Sequence, residues 1–332
     1  MSESWALSAR RLRIVIPGGS GQVGRMLARH FQERGHHVTV LTRGPYTAPW
    51  QTVHWDGKEI GPWVETLEGA DVCINLAGRS VNCRYNAENR RQIYESRIGT
   101  TTLLNRVIAG LDEPPRVWLN ASTATIYRHA LDRPMDEATG ELGGRELISK
   151  RRRAPNTWNF SIRVARDWET AFFATQTLRT RKVAMRSAIV FSPVPGNAFA
   201  TYLNLVCVGL GGTQGNGRQF VSWIHESDFA RAVEFLIDRD DPAGPVNIAA
   251  PNPLPNREFM QALRDAWDMP NGIPIPWPLL EIGAFLMRTE SELVLKSRRV
   301  VPGRLLAAGF QFDFRNWSEA ADDLVRQWRN RE

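Results

Sequence analysis

Three glycines spaced three residues apart limit what the N-terminal part of this chain can form. Gly18, Gly21 and Gly24 follow the apolar run RLRIVIP and open an amphipathic segment. Glycine lets the backbone turn tightly, approach a pyrophosphate closely and pack the next helix against the strand. The free N–H groups and positive dipole at the start of that helix favour an anion. The turn therefore predicts a strand–turn–helix unit that binds a dinucleotide, and its place after the first strand strengthens this interpretation.

Apolar runs and amphipathic stretches alternate along the next 180 residues. β-branched runs predict buried strands, and apolar residues at three- and four-residue spacing predict helices. The predicted strands cover residues 11–17, 36–43, 71–77, 116–122, 182–191 and 245–250. The predicted helices cover residues 22–34, 63–68, 87–108, 164–177, 255–267 and 316–330.

Alternation of strands and helices indicates an α/β fold with a doubly wound parallel sheet, the Rossmann arrangement. We predict that residues 10–192 form a dinucleotide-binding domain, onto which residues 222–250 pack back. Residues 193–332 are then a smaller, mixed C-terminal domain on the substrate side. A chain of 332 residues is long enough for both.

The residue after the second predicted strand indicates which cofactor is bound. An acidic residue about twenty positions beyond the glycines would hold the ribose hydroxyls of NAD, but the sequence there is LTRGP, with Arg43. A guanidinium pairs with a 2′-phosphate, whereas a carboxylate would repel it. The sequence therefore predicts NADP, the alternative being that Arg43 is only an exposed loop charge.

The charge and the cysteines restrict the partners and the compartment. The net charge of +7 comes mainly from arginine and would suit an anionic small-molecule substrate, but general solubility or genomic base composition would produce the same excess, and we favour that explanation. The densest basic run, Lys150 to Arg153, lacks interleaved aromatic residues, so we expect a solvated loop and no nucleic-acid partner. Three scattered cysteines without CxxC spacing predict neither a disulfide framework nor a metal site. We expect a cytoplasmic protein without a membrane segment, either monomer or homodimer.

Several motifs in order resemble the extended short-chain dehydrogenase/reductase superfamily, which includes nucleoside-diphosphate-sugar epimerases. These motifs are GGSGQVG, INLAG, NASTATIY and GRQFVSWIHESDFARAV. The chain is more closely similar to an atypical epimerase-like subgroup that carries a C-terminal domain of unknown function. The segments that carry this closer resemblance are SRIGTTTLL, RDWETA, LGGTQGNGRQFVSWIHESD, GPVNIAAPNP and VVPGRLLAAGFQFDF, and the resemblance runs from Arg11 to about Leu324.

The glycine turn, the strand ends and the resemblance together give a set of cofactor contacts. The resemblance implies that Asn75, Ala77 and Gly78 touch the cofactor and that Arg186 and the strand from Ile189 pass near the nicotinamide. The full predicted set is Gly18, Gly19, Ser20, Gly21, Gln22, Val23, Gly24, Arg43, Asn75, Leu76, Ala77, Gly78, Arg97, Ala121, Ser122, Arg186 and Ile189.

The resemblance also implies a catalytic tyrosine with a lysine four residues later, but none of the five tyrosines has that lysine. If Glu169 marks the acidic residue that follows the pair, Ser161 and Ala165 occupy the two places. Neither side chain is an acid near neutral pH. The hydroxyls Ser122 and Thr123, at the end of a predicted strand, remain candidates for holding the oxygen of the substrate.

Three explanations of the missing pair stay open. The proton donor is relocated, with Tyr127 as the first candidate and His225, oriented by Asp228, as the next. Alternatively, the reaction needs little acid catalysis from the protein, or the protein binds NADP without turning it over. The leading hypothesis is an NADP(H)-dependent oxidoreductase or epimerase-like enzyme with catalytic residues Thr123, Tyr127, Ser122 and His225; the alternative is a catalytically silent NADP(H)-binding or redox-sensing protein.

Overall fold

The β-branched runs of the sequence form a central sheet of parallel strands. The computed structural model describes residues 10–144, 147–149, 152–153, 155–286 and 290–331. Its strands are β1 (Arg13–Pro17), β2 (His37–Thr42), β3 (Gln51–His54), β4 (Val72–Asn75), β5 (Val117–Thr123), β6 (Leu147–Ser149), β7 (Arg152–Arg153), β8 (Arg181–Ser187), β9 (Ile189–Phe191), β10 (Phe220–Val221), β11 (Trp223–His225), β12 (Gly244–Ile248) and β13 (Leu254–Pro255). Seven of them form one sheet in the order β12-β8-β5-β4-β1-β2-β3, with every pairing parallel.

The amphipathic stretches form helices, some of which cover the two faces of this sheet. They are α1 (Gln22–Glu33), α2 (Ala87–Ala109), α3 (Asn156–Phe173), α4 (Ala198–Cys207), α5 (Glu226–Asp238), α6 (Asn256–Trp267), α7 (Trp277–Leu286), α8 (Glu292–Leu295), α9 (Gly303–Ala307) and α10 (Trp317–Arg329). Short 3₁₀ turns span Pro62–Thr66 and Ala124–Ile126. None of the helices in the described part of the chain is both long and apolar enough to cross a bilayer.

Two apolar clusters fill the two faces of the sheet, and a third lies in the C-terminal half. One face is covered by α1 and α5, with Phe31 and Phe229 buried there, and the other by α2 and α3, with Phe172 against Trp118. The third cluster joins α4, α6 and α10, where Phe259 and Trp317 stack with ring centroids 4.3 Å apart. Large aromatic side chains make up much of this third cluster and bury a large apolar area.

The strand register brings the carboxyl ends of the central strands to one edge of the sheet. Pro17 lies beside Leu41, Asn75 beside Asn120, and Thr123 beside Ser187. In parallel sheets this edge is where ligands bind. The glycine turn after β1 and the hydroxyls after β5 therefore share one side of the molecule.

The doubly wound α/β fold is confirmed, but several elements differ from the sequence prediction; among them, the helices α4 and α5 were not predicted. α3 begins at Asn156, eight residues before the predicted start, so that Ser161 lies inside it. The predicted strand 182–191 is divided at Ala188, because β9 leaves the main sheet to pair with β11. β3, the edge strand, was not predicted.

The basic run predicted as a loop includes a short strand. Its last residues, Arg152–Arg153, pair with Leu147–Ser149 as two antiparallel strands. Lys150 and Arg151 lie outside the described residues.

Candidate active site

The turn after β1 has a shape that only glycine allows. Gly18 has φ +76°, and a Cβ there would lie 2.7 Å from the backbone N of Ala77. At Gly24, a Cβ would lie 2.4 Å from the Cα of Gly19, so α1 could not pack this closely against the turn. Gly21 is the N-cap of α1 and caps no N–H group with a side chain. The first N–H groups of α1 are therefore available to an anion, and the turn fits the pyrophosphate of a dinucleotide.

The end of β2 lies beside this turn. Thr42 Oγ1 donates to Ser20 Oγ at 3.1 Å, and Arg43 follows directly, with an exposed side chain. Gln22 Nε2 donates to the carbonyl of Pro195 at 3.2 Å, which joins the start of α1 to the C-terminal half. The turn and an exposed arginine thus lie together, as the sequence predicts.

Asn75 shapes the next turn rather than presenting its amide to a cofactor. Its fully buried side chain donates to Asn120 Oδ1 at 2.7 Å and accepts from the backbone N of Ala77 at 3.1 Å. Both amide ends are therefore used within the protein. The side chain therefore fixes the turn that follows β4, and the predicted contact of Asn75 with the cofactor stays a prediction that its backbone would have to meet.

A cleft of about 450 Å³ opens at the carboxyl edge of the sheet. Predicted site residues that line it are Val23, Leu76, Gly78, Arg97, Ala121, Ser122 and Thr123. Ser161 and Ala165 of α3, at the two places of the missing pair, line it as well. Its far wall comes from the C-terminal region and includes Glu292 and Arg298. A cleft of this size matches the range that holds small molecules.

Of the two predicted hydroxyls, only Thr123 is half-exposed. Ser122 Oγ is buried and donates to Glu169 Oε1 at 2.6 Å. Thr123 Oγ1 accepts from the backbone N of Thr125 at 3.2 Å, a bond that leaves its own proton for another acceptor. Thr123 is therefore the hydroxyl that can donate to an oxygen in the cleft.

Glu169 of the RDWE motif belongs to a buried polar network behind the cleft. Arg186 donates Nε and Nη2 to its two oxygens at 2.8 and 2.7 Å. Nη1 of Arg186 donates to the hydroxyl oxygen of Tyr127 at 2.9 Å, and this hydroxyl donates to Asn247 Oδ1 at 2.9 Å. The network ties together α3, β8, β12 and the turn after β5.

Two predicted site residues, Tyr127 and Arg186, use their polar groups for hydrogen bonds within this network. Tyr127 is 1% exposed, does not line the cleft, and has its pKa raised by burial. The guanidinium of Arg186 is turned to Glu169, while Met185 and Ser187 on either side line the cleft, because neighbouring strand residues face opposite ways. Both side chains are thus engaged within the protein and do not line the cleft, which counts against Tyr127 as proton donor and against a nicotinamide contact by the side chain of Arg186.

His225 does not line this cleft but a neighbouring cavity, which shares Val23 and Val190 with it. As N-cap of α5 it accepts at Nδ1 from the backbone N of Ser227 at 3.2 Å, and its Nε2 is 3.2 Å from Asp323 Oδ2. Burial lowers the pKa of His225. Asp228, the predicted orienting acid, instead accepts from the backbone N of Asp313 at 2.9 Å. The capping role of His225 counts against the predicted catalytic role. Ile189, a predicted cofactor contact, packs against the third apolar cluster.

Three arginines give the cleft a positive wall. Arg97 donates to the carbonyl of Ile93 at 3.1 Å and lies over the ring of Trp168, and burial lowers its pKa to about 10. Arg79 and Arg298 complete the set. Among the residues that the structure describes along this cleft, Glu292 is the only carboxylate. An anionic ligand fits this excess of positive charge.

Sequence reasoning missed Arg79, Arg298 and Glu292. Arg298 and Glu292 come more than 130 residues after Ser161 in the chain and meet the sheet only through the tertiary fold. TESELVLKSRR has the composition of a charged surface segment, and neither its spacing nor its periodicity indicates a site.

Among the described residues, no group of three or more His, Cys, Asp or Glu side chains could hold a metal ion.

The chain is similar to known proteins over most of its length. Residues 14–151 match the NAD dependent epimerase/dehydratase family, and residues 275–324 match a domain of unknown function, DUF1731. The epimerase family protein SDR39U1 of Bos taurus is 30% identical over 320 residues, which cover 95% of this chain and 100% of that protein. The DUF1731 match includes Glu292 and Arg298 of the cleft wall.

The chain is also similar in structure to solved proteins over most of its length. The human epimerase family protein SDR39U1 (isoform 2), crystallised with NADPH, has a TM-score of 0.81 and 28% identity, covering 94% of this chain and 99% of that one. A nucleoside-diphosphate sugar epimerase from Corynebacterium glutamicum has a TM-score of 0.72 and 26% identity, covering 96% of this chain and 59% of that one.

Proposed function

This chain belongs to the NAD dependent epimerase/dehydratase family, and we propose that it is an NADP(H)-dependent oxidoreductase or epimerase-like enzyme acting on a small anionic molecule. The observation that carries the proposal is the composition of one cleft. It brings together Val23 from the start of α1, the half-exposed hydroxyl of Thr123 and the guanidinium groups of Arg97 and Arg298. The cleft therefore combines a residue beside the proposed cofactor site with side chains suited to hold a substrate, as a redox site requires.

The cofactor is NADP(H). The turn at Gly18, Gly21 and Gly24 fits a pyrophosphate, the exposed Arg43 is suited to a 2′-phosphate, and the human relative is crystallised with NADPH. A bound nicotinamide supplies a hydride to a carbon of the substrate or accepts one from it. The residues of this chain hold the substrate: Thr123 donates to its reacting oxygen, and the arginines bind its negative group.

The C-terminal region supplies the substrate side of the site. We propose that residues 193–332 close the cleft over the dinucleotide-binding part, residues 10–192. Arg298 supports this, because it is nearly buried and donates from Nε to Thr125 Oγ1 at 3.1 Å, two residues beyond Thr123. It reaches the end of β5 from the region that matches DUF1731.

Arg43→Ala should remove the preference for NADPH over NADH. A hydrogen bond to a charged group contributes about 1.5–3 kcal/mol, so the affinity for NADPH should fall by about 10- to 100-fold while that for NADH changes little. Calorimetric titration of both cofactors measures this. Arg11→Ala is the control, because Arg11 is exposed at the amino end of β1, opposite the site. Equal affinities of the wild type for the two cofactors would rule out the role given to Arg43.

Thr123→Ala should lower NADPH-dependent turnover by about 100-fold, the usual loss when one donor to a developing oxyanion is removed. The assay is NADPH oxidation with carbonyl compounds that carry a carboxylate or phosphate group. Thr123→Ser keeps the hydroxyl and should restore most of the rate, and calorimetry should give an unchanged affinity for NADPH. Undiminished turnover in Thr123→Ala would contradict the proposal, whereas NADPH binding without any turnover by the wild type would favour the catalytically silent alternative.

A further inference from the structure

The cleft contains one group whose chemistry the proposed function leaves unused. Glu292, the first residue of α8, lines the cleft and is 1% exposed. Its Oε2 accepts a hydrogen bond of 2.6 Å from Ser161 Oγ on α3. Its Oε1 is buried and has no hydrogen-bond partner among the described residues; the nearest cation, Arg298 Nη2, is 3.7 Å away.

A buried carboxylate oxygen without a partner is costly, and the cost falls when the oxygen carries a proton or meets a ligand donor. Burial raises the pKa of Glu292. Arg298 and Lys296 from the following segment and the hydroxyl of Ser161 act against burial, while the neighbouring Glu290 acts with it. The net effect of these groups is that Glu292 is protonated up to a higher pH than an exposed glutamate. A glutamate of raised pKa can act as a general acid near neutral pH.

Glu292 lies in the cleft where the described part of the site otherwise lacks a side chain that can donate a proton near neutral pH. Ser161 and Ala165 line the cleft without offering an acid, and Thr123 can donate a hydrogen bond but does not ionise near neutral pH. Tyr85 also lines the cleft, but burial raises its pKa to about 12, far from the working range of a general acid or base. Tyr127 and His225 are occupied elsewhere.

We propose that Glu292, brought into the cleft by the C-terminal region, is the catalytic residue that exchanges a proton with the substrate, and that Ser161 is the residue that positions it. This rests on the proposed function. In the reductive direction, the carbonyl carbon of the substrate gains a hydride from NADPH, which is thereby oxidised to NADP⁺. The π electrons move to the carbonyl oxygen, that oxygen takes the proton from Glu292 Oε1, and Glu292 is left as a carboxylate. In the oxidative direction the carboxylate takes the proton back from the hydroxyl.

The decisive experiment needs neither substrate nor cofactor, and measures thermal unfolding of the wild type and Glu292→Gln from pH 4 to pH 9. A carboxyl group with a higher pKa in the folded than in the unfolded chain stabilises the fold below the unfolded pKa, and this contribution is lost as the pH rises through the folded pKa. The Tm of the wild type minus that of Glu292→Gln should therefore fall as the pH rises above about 4.5, the ordinary value for glutamate.

Two further variants sharpen the result. Glu290→Gln removes a carboxylate two residues away that is already bonded to the backbone N of Tyr85 at 2.7 Å. Glu290 is the weakest of the influences on the pKa of Glu292, so this variant should reproduce only a small part of the fall. Ser161→Ala removes a hydrogen bond that favours the ionised form of Glu292. The carboxyl group is still present in this variant, so the stabilisation that it gives the fold should persist to higher pH than in the wild type. A difference that is flat in pH, or a Ser161→Ala profile identical to that of the wild type, would overturn the proposal.

Activity gives a second and separable readout. For a carbonyl compound that the wild type reduces, Glu292→Gln should lower kcat by at least about 100-fold, with the dissociation constant of NADPH unchanged within about twofold. Undiminished kcat would overturn the role of Glu292. Failure of the wild type to bind NADPH would instead count against the proposed function, and the unfolding experiment would still decide the state of Glu292.

Discussion

Glu169→Gln is expected to lower the free energy of unfolding by about 3–5 kcal/mol, the usual loss when one partner of a buried ion pair is removed. Arg186 is 6% exposed and donates to both oxygens of Glu169. A glutamine turns an N–H group toward the guanidinium in place of one acceptor oxygen, and so leaves a buried positive charge without its counter-charge. Chemical denaturation of the purified chain measures the change.

A matched control separates burial from the loss of a charge. Glu95→Gln breaks an ion pair with Arg91 at 3.3 Å on the exposed face of α2, where about 0–1 kcal/mol is expected. Similar losses in the two variants would contradict the assignment of RDWE to a buried structural network. This assignment explains why the motif is present although the tyrosine and lysine expected before it are absent.

Gly21→Ala should weaken NADPH binding by about 100-fold, or about 2.7 kcal/mol. Within the protein, a Cβ at Gly21 meets only the carbonyl oxygen of Gly18, at an ordinary contact distance of 3.7 Å. The fold should therefore lose no more than about 1 kcal/mol, the cost of alanine at an N-cap. The loss of affinity arises because a methyl group on this turn keeps the pyrophosphate from approaching the backbone.

Calorimetric titration with NADPH, together with thermal unfolding, tests this prediction. Gly99→Ala serves as the control, because a Cβ at Gly99 on α2 meets nothing within 4 Å and should leave the affinity unchanged. Wild-type affinity in Gly21→Ala would mean that the cofactor does not lie against this turn. Gly18 and Gly24 are poorer test positions, since a Cβ at either would collide with the backbone and disturb the fold itself.

The parts of the site that depend on local sequence were predictable. The glycine spacing, the buried runs of β1 and β5, and Arg43 after β2 depend on residues close together in the chain, where turn geometry and periodicity are informative. The family resemblance and the fold class are both confirmed. The start of α3 was missed because Pro155 and the polar residues around it hide the apolar spacing that begins at Trp158.

The parts that depend on distant contacts were not predictable. Tyr127 has the residue type of a proton donor, but Arg186 and Asn247, 59 and 120 residues further along, occupy its hydroxyl. His225 faces Asp323, almost 100 residues away, rather than Asp228 in its own motif. The pairing of Glu292 with Ser161 spans 131 residues and requires the C-terminal region to fold against α3.

A crystal structure of the chain with NADPH tests the central claim most directly, namely that one cleft at the carboxyl edge of the sheet holds the cofactor beside the substrate. We predict the pyrophosphate over the turn at Gly21, the 2′-phosphate within hydrogen-bond distance of Arg43, and the nicotinamide ring in the cleft between Thr123 and Ala165. Glu292 should then lie on the open side of the ring, where a substrate would bind. A nicotinamide outside this cleft, or a 2′-phosphate without contact to Arg43, would contradict the account.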